Sequence, residues 1–168
     1  AQFESYQEVN VNSLSKDQKA KMIHTSWVVV EKGVPGNTRT KARLCARGDR
    51  EHNVKDIRTD CPTGSKLGLR LLLSVAASNN WHIKSIDFKN AFLQGMELDR
   101  ELFMMPPKEA RQNCPDVVWK LVKPIYGLVD SPRNWYLKLH QELTALNMEQ
   151  SNLDQALYYI KDIIGHLK

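Results

Sequence analysis

The segment SWVVVE (26–31) sets a Trp beside a run of Val, and a β-branched run of that kind predicts a buried strand. GVPGN then predicts a turn. In TRTKARLCA (38–46) basic and apolar residues alternate, which predicts a second strand with Lys41 and Arg43 on one face and Ala42 and Leu44 on the other. The two form a hairpin. Ahead of them, residues 1–24 are polar and helix-compatible around Lys16–Met22, and behind them residues 48–65 are polar and turn-rich. Between Lys66 and Asn79, Leu67, Leu71, Leu72, Val75 and Ala76 recur at helical spacing and predict a buried helix. Strands are expected at Trp81–Asp87, at Glu101–Met105 (stopped by Pro106 and Pro107) and at 117–123. A helix should start at Ser131, whose hydroxyl caps free amides, with Pro132 in the first helical position, and run to about Leu146 with Trp135, Leu139, Leu143 and Leu146 on one stripe. A last strand covers 154–161, and IIGHLK looks like the start of another. The order of elements argues for an α+β fold.

Composition keeps this picture and narrows it. With 168 residues, 42% hydrophobic and 26% charged, the chain has the make-up of one folded domain. It contains neither a stretch of about 20 apolar residues nor a basic-then-apolar leader, so no membrane partner is expected. It begins with Ala, as a piece of something longer would. The 3 cysteines, Cys45, Cys61 and Cys114, are widely spaced and offer neither a disulfide framework nor a zinc site, and Cys45 reads as a small core residue. Charge changes the picture more. From Arg39 to Arg70 the basic residues outnumber the acidic ones by as much as the whole formal net charge of +5, so the positive field is local. Such a segment is either a surface for phosphates or a solvated face.

The residues themselves then resemble a known family. TKARLCARGD, SIDFKNAFLQGMELDRELFMMPP, VWKLVKPIYGLVDSPRNWYLKL and SNLDQALYY, in this order from about residue 26 to the last residue, are similar to the reverse transcriptase domain of copia-type LTR retrotransposons. The resemblance implies a right-hand polymerase fold of fingers and partial palm, truncated before the catalytic Asp-Asp hairpin. It divides the chain into an N-terminal extension with fingers (1–80), the first part of the palm (81–105), a fingers return segment (106–130), and a truncated palm helix and strand (131–168). It implies a fragment of an RNA-directed DNA polymerase of a Pol polyprotein, which adds deoxynucleotides to a primer by two-metal catalysis. Its partners are an RNA or DNA template with primer, deoxynucleoside triphosphates and the rest of the polyprotein. In the family the setting is cytoplasmic, in a virus-like particle.

The same resemblance assigns roles. Nucleotidyl transfer uses two Mg²⁺ ions, with Mn²⁺ as an alternative, and hard cations take carboxylate oxygens. Asp87 matches the first palm aspartate, and the Phe88 carbonyl should lie beside the second metal. The amides of Asn90 and Ala91 would face the triphosphate, and Phe92 matches the steric gate against a ribose 2′-hydroxyl. Arg43 first and Lys41 second would neutralise the triphosphate, with Arg47 there or on template phosphate and Arg50 on nucleic acid. Tyr126 and Gly127 match the turn near the templating base, the alternative for Tyr126 being plain packing under the fingers.

Two departures stand out. The Lys-Gln usual in the family's YGLKQSPR is Val129-Asp130 here, which puts a phosphate contact at that position in doubt. The paired aspartates of the family do not occur, so the fragment alone is expected to be inactive, and a degenerate or domesticated remnant that binds nucleic acid or protein is the alternative.

Overall fold

The computed structural model describes residues 4–161. Its larger sheet is built from five strands. β1 (Tyr6–Asn10) is followed by the short α1 (Lys16–Ala20), where Ser15 and Gln18 exchange side-chain and backbone hydrogen bonds in a capping box. β2 (Ile23–Val34) and β3 (Asn37–Ala46) then form the expected hairpin, turning through Pro35 and Gly36, whose φ of +87° suits a Pro-Gly turn. α2 (Lys66–Ser78) precedes β4 (Phe103–Met105), the single-turn α3 (Lys108–Arg111), β5 (Val117–Leu121) and α4 (Ser131–Ala145). β6 (Glu149–Gln150) and β7 (Tyr158–Tyr159) pair separately. The sheet order is β1-β5-β4-β2-β3, antiparallel except where β2 meets β4. The mixture is α+β.

Alternation across the strands makes two cores. Ile23, Leu102, Met104, Leu121, Ile125 and Leu128 gather on one face, and Leu14, Phe103 and Val118 on the other. Phe103 and Met104 are neighbours in sequence and therefore point into opposite clusters.

Several expectations fail, each for a physical reason. SWVVVE is strand but not buried. β2 pairs with β4 only at Ile23 and His24, so beyond them β3 is its one strand neighbour among the described residues, and Trp27 to Val30 stay exposed on a two-stranded ribbon. Residues 81–87 carry no regular secondary structure and pair with no strand among the described residues. α2 has the predicted span, yet Leu67, Leu69 and Leu71 are exposed and only Gly68 and Ala76 are buried. Its leucines join neither core cluster, so helical periodicity here marks an amphipathic helix without a covering layer among the described residues. Ser131 does not cap α4. Asp130 is the cap residue, while the Ser131 hydroxyl is buried and donates to the Ile125 carbonyl at 2.6 Å. Leu146 falls outside the packed stripe and is exposed. The strand expected over 154–161 contracts to β7, and β1 arises in a segment read as polar. The strand expected at IIGHLK lies outside the described residues.

Candidate nucleotide and nucleic-acid site

The best-organised part of the site is the end of β3. There Ala46 donates its amide to the Tyr126 carbonyl at 2.7 Å, and Arg47 donates its own to the His24 carbonyl at 2.8 Å. Gly127 has φ +93°, and a Cβ there would stand 2.1 Å from the Ala46 carbonyl oxygen. A Cβ on Gly48 would in turn stand 2.5 Å from the Gly127 carbonyl oxygen. Two glycines thus let the 126–128 turn enter the bend of β3, where larger residues would collide with backbone.

This close approach sets the Tyr126 ring between two other groups. The Arg43 guanidinium lies 5.7 Å from its centroid, and the Phe92 ring meets it at 5.1 Å, tilted by 59°. Arg43, Phe92 and Tyr126 come from three distant segments and meet in one cluster around the Tyr126 ring. Asn90 lines the same cleft, which has a volume of about 370 Å³. Asn90 takes the left-handed conformation, φ +53°, and opens a 3₁₀ turn over Ala91–Gln94 whose first amides have no helical acceptor. Gln94 fastens this turn by donating to the Lys89 carbonyl at 2.7 Å.

The other expected residues stand apart from that cluster. Asp87 is exposed in the irregular segment that follows α2. The Phe88 ring packs on Trp135 of α4 at 5.1 Å, which anchors the main chain beside Asp87. Among the described residues no three His, Cys, Asp or Glu side chains converge on a point where they could hold a metal ion. Asp87 and the Phe88 carbonyl are nevertheless of the hard-oxygen type that Mg²⁺ takes, an ion commonly held by one or two carboxylates together with water and substrate phosphates. Lys41 is exposed, and its place two residues from Arg43 puts both on one face of β3. Arg50 is exposed as well. Arg47 already has a partner: its Nε and Nη2 donate to both carboxylate oxygens of Asp49 at 2.9 and 2.8 Å, which lowers the Asp49 pKa and raises that of Arg47. A phosphate at Arg47 must displace that carboxylate.

Asp130, the departure in YGLVDSPR, faces inward. Its carboxylate accepts from Arg100 Nη1 at 2.6 Å and from Asn134 Nδ2 at 2.9 Å, and Arg100 also grips Glu51 through Nε and Nη2. Burial works against the Arg100 charge, but hydrogen bonds to Glu51 and then Asp130 outweigh it and raise the pKa above the usual arginine value. The position is a structural anion rather than a phosphate contact. Sequence reasoning missed Arg100 and Glu51 because nothing in their spacing links them. It also missed Tyr6 and Trp119, which stack on each other beside Arg43; the only signal was the brief alternation in SYQEVNV.

Comparison with known proteins supplies the context. Residues 6–167 match the family model described as reverse transcriptase (RNA-dependent DNA polymerase). The chain is 36% identical over 124 residues to the retrovirus-related Pol polyprotein from transposon RE2 of Arabidopsis thaliana, covering 73% of this chain and 8% of that protein. It is 30% identical over 123 residues to the Pol polyprotein from transposon TNT 1-94 of Nicotiana tabacum, covering 72% of this chain and 9% of that protein. A third relative, the transposon Ty1-BL Gag-Pol polyprotein of Saccharomyces cerevisiae, is 37% identical over 97 residues, 57% of this chain and 5% of that protein. The chain therefore spans less than a tenth of the length of these relatives. No solved structure matches it. No helix among the described residues is long and apolar enough to cross a membrane.

Proposed function

The chain belongs to the reverse transcriptase (RNA-dependent DNA polymerase) family, in the form carried by copia-type retrotransposon Pol polyproteins, and from that premise we propose that it supplies fingers and the first part of the palm of a right-hand polymerase. In the complete protein the primer 3′-oxygen attacks the α-phosphorus of a deoxynucleoside triphosphate, the new phosphodiester bond replaces the α–β bond, and pyrophosphate leaves. Bound divalent ions supply charge neutralisation at the triphosphate and activation of the attacking hydroxyl. Asp87, with the Phe88 carbonyl beside it, is this chain's ligand for them, and the remaining carboxylates come from elsewhere in the polyprotein.

Arg43 and Lys41 neutralise the triphosphate from the hairpin, and the amides of Asn90 and Ala91 meet its oxygens from the opposite side of the cleft. Phe92 stands where a 2′-hydroxyl would be. Tyr126 and Gly127 form the floor under the templating pair, and Arg50, with Arg47 once released from Asp49, takes template phosphate. The observation that carries this reading is the cluster of Arg43, Tyr126 and Phe92: a cation, a flat floor and a candidate sugar gate brought against one another from three segments.

The test is Arg43→Ala in a complete reverse transcriptase carrying these 168 residues. The KM for deoxynucleotide should rise about tenfold, as for a lost charge-assisted contact, with primer–template affinity little changed. An unchanged KM would contradict the assignment.

A further inference from the structure

The cleft that holds Arg43 does not end at Tyr126. Its far wall is Tyr6 and Trp119, whose rings stack with centroids 4.4 Å apart and planes 26° from parallel. The register explains the pair: Tyr6 lies opposite Leu121, so Trp119 is its diagonal neighbour across the antiparallel ladder, within reach of a large ring. β1 is an edge strand, and Tyr6 remains 42% exposed although Trp119 supports one of its faces. Arg43 is the one charged residue on the walls of this cleft, and it makes no ion pair among the described residues. The cleft beside Arg100, by contrast, is crowded with Asp17, Glu51, Asp56 and Glu101.

An open aromatic face with a ring behind it, in a cleft of purely positive charge, fits a flat ligand joined to an anion. We propose that Tyr6, backed by Trp119, is a stacking platform for an unpaired base of single-stranded template, held beside the triphosphate that Arg43 meets. The ligand class is a nucleobase of a single strand, recognised by its π-face and therefore with little sequence preference. This inference rests on the nucleic-acid reading of the hairpin and adds to it a place for the strand before it is copied.

The test is fluorescence anisotropy with a dye-labelled primer–template, blunt or with an unpaired 5′ template extension of about six nucleotides. The wild-type chain should bind the extended form about tenfold more tightly than the blunt form. Tyr6→Leu, which keeps apolar bulk against Trp119 but has no π-face, should lose about that factor on the extended form and nothing on the blunt one, and Tyr6→Phe should retain it. An abasic extension should abolish the wild-type preference. Tyr6→Leu binding as wild type, equal losses on both substrates, or full wild-type preference for the abasic extension would each overturn the proposal; the abasic arm needs no variant to fold. Failure of the underlying reading looks different: the wild-type chain would then bind neither substrate, and both ideas would fall.

Discussion

At the scale of single residues, glycine and aromatic positions decide the site. Gly127→Ala would force a Cβ against the Ala46 carbonyl at a φ that L side chains avoid, so either the turn or β3 must move. We expect a loss of about 2–4 kcal/mol in urea unfolding, with Tyr126 displaced from Arg43 and Phe92. A variant as stable as wild type would show that the turn is not held in place by this contact. Phe92 separates two readings. As a sugar gate, Phe92→Ala in a complete enzyme should lower the ratio of kcat/KM for deoxy over ribo substrate about tenfold or more, roughly 1.4 kcal/mol of discrimination. As a packing residue it would cost stability and leave that ratio constant. The sequence made Phe92, Arg43 and Tyr126 legible as separate motif positions. It could not make their clustering legible, because that depends on Gly48 and Gly127 admitting one segment into the bend of another.

At the scale of elements, two polar clusters join pieces of chain that sequence reading left unconnected. Arg100 holds Glu51 and Asp130, whose side chains are only 5% and 6% exposed, and so ties the loop after β3 to the start of α4. Arg100→Met strands two buried carboxylates and should cost about 3–5 kcal/mol, whereas Glu51→Gln, Arg100→Met and Asp130→Asn together should cost much less. Equal losses in urea midpoints would mean that the charges are not coupled. Asp154 performs a related task for α2, accepting from the Ser65 amide at 3.0 Å, the Ser65 hydroxyl at 2.8 Å and the Ala156 amide at 2.9 Å. Hydrogen bonds from the Ser65 and Ala156 amides, and then from the Ser65 hydroxyl, hold its pKa below the ordinary 3.8. A depressed carboxylate stabilises the fold above its unfolded pKa and loses that contribution as pH falls through the lower, folded value. The difference in melting temperature between wild type and Asp154→Asn should therefore shrink below about pH 4, and a constant difference would contradict the linkage. Period and turn chemistry in the sequence located the hairpin, α2 and α4. They misjudged burial in SWVVVE and α2, because apolar periodicity records which face is apolar and not whether anything lies against it. They placed a strand at 81–87 for the same reason, since alternation does not provide a pairing partner.

At the scale of the whole molecule, the local positive field should govern association with nucleic acid. Arg50 makes no ion pair among the described residues, whereas Arg47 is held by Asp49. Replacing Arg50 with Ala should reduce the slope of log affinity against log salt for a primer–template by about one, a phosphate contact contributing near 0.9, while Arg47→Ala should change it less. Equal effects would mean that the Asp49 pair opens freely. Membership of the family was legible from motif order alone; which cations are free for phosphate was not, because that is settled by side-chain pairing. The central claim is that Asp87 is a metal ligand of the polymerase centre, and it is tested most directly by Asp87→Asn in a complete reverse transcriptase carrying this segment. Deoxynucleotide incorporation should fall on the order of a thousandfold while the Kd for primer–template stays within about twofold. Incorporation retained within about tenfold of wild type would contradict the account.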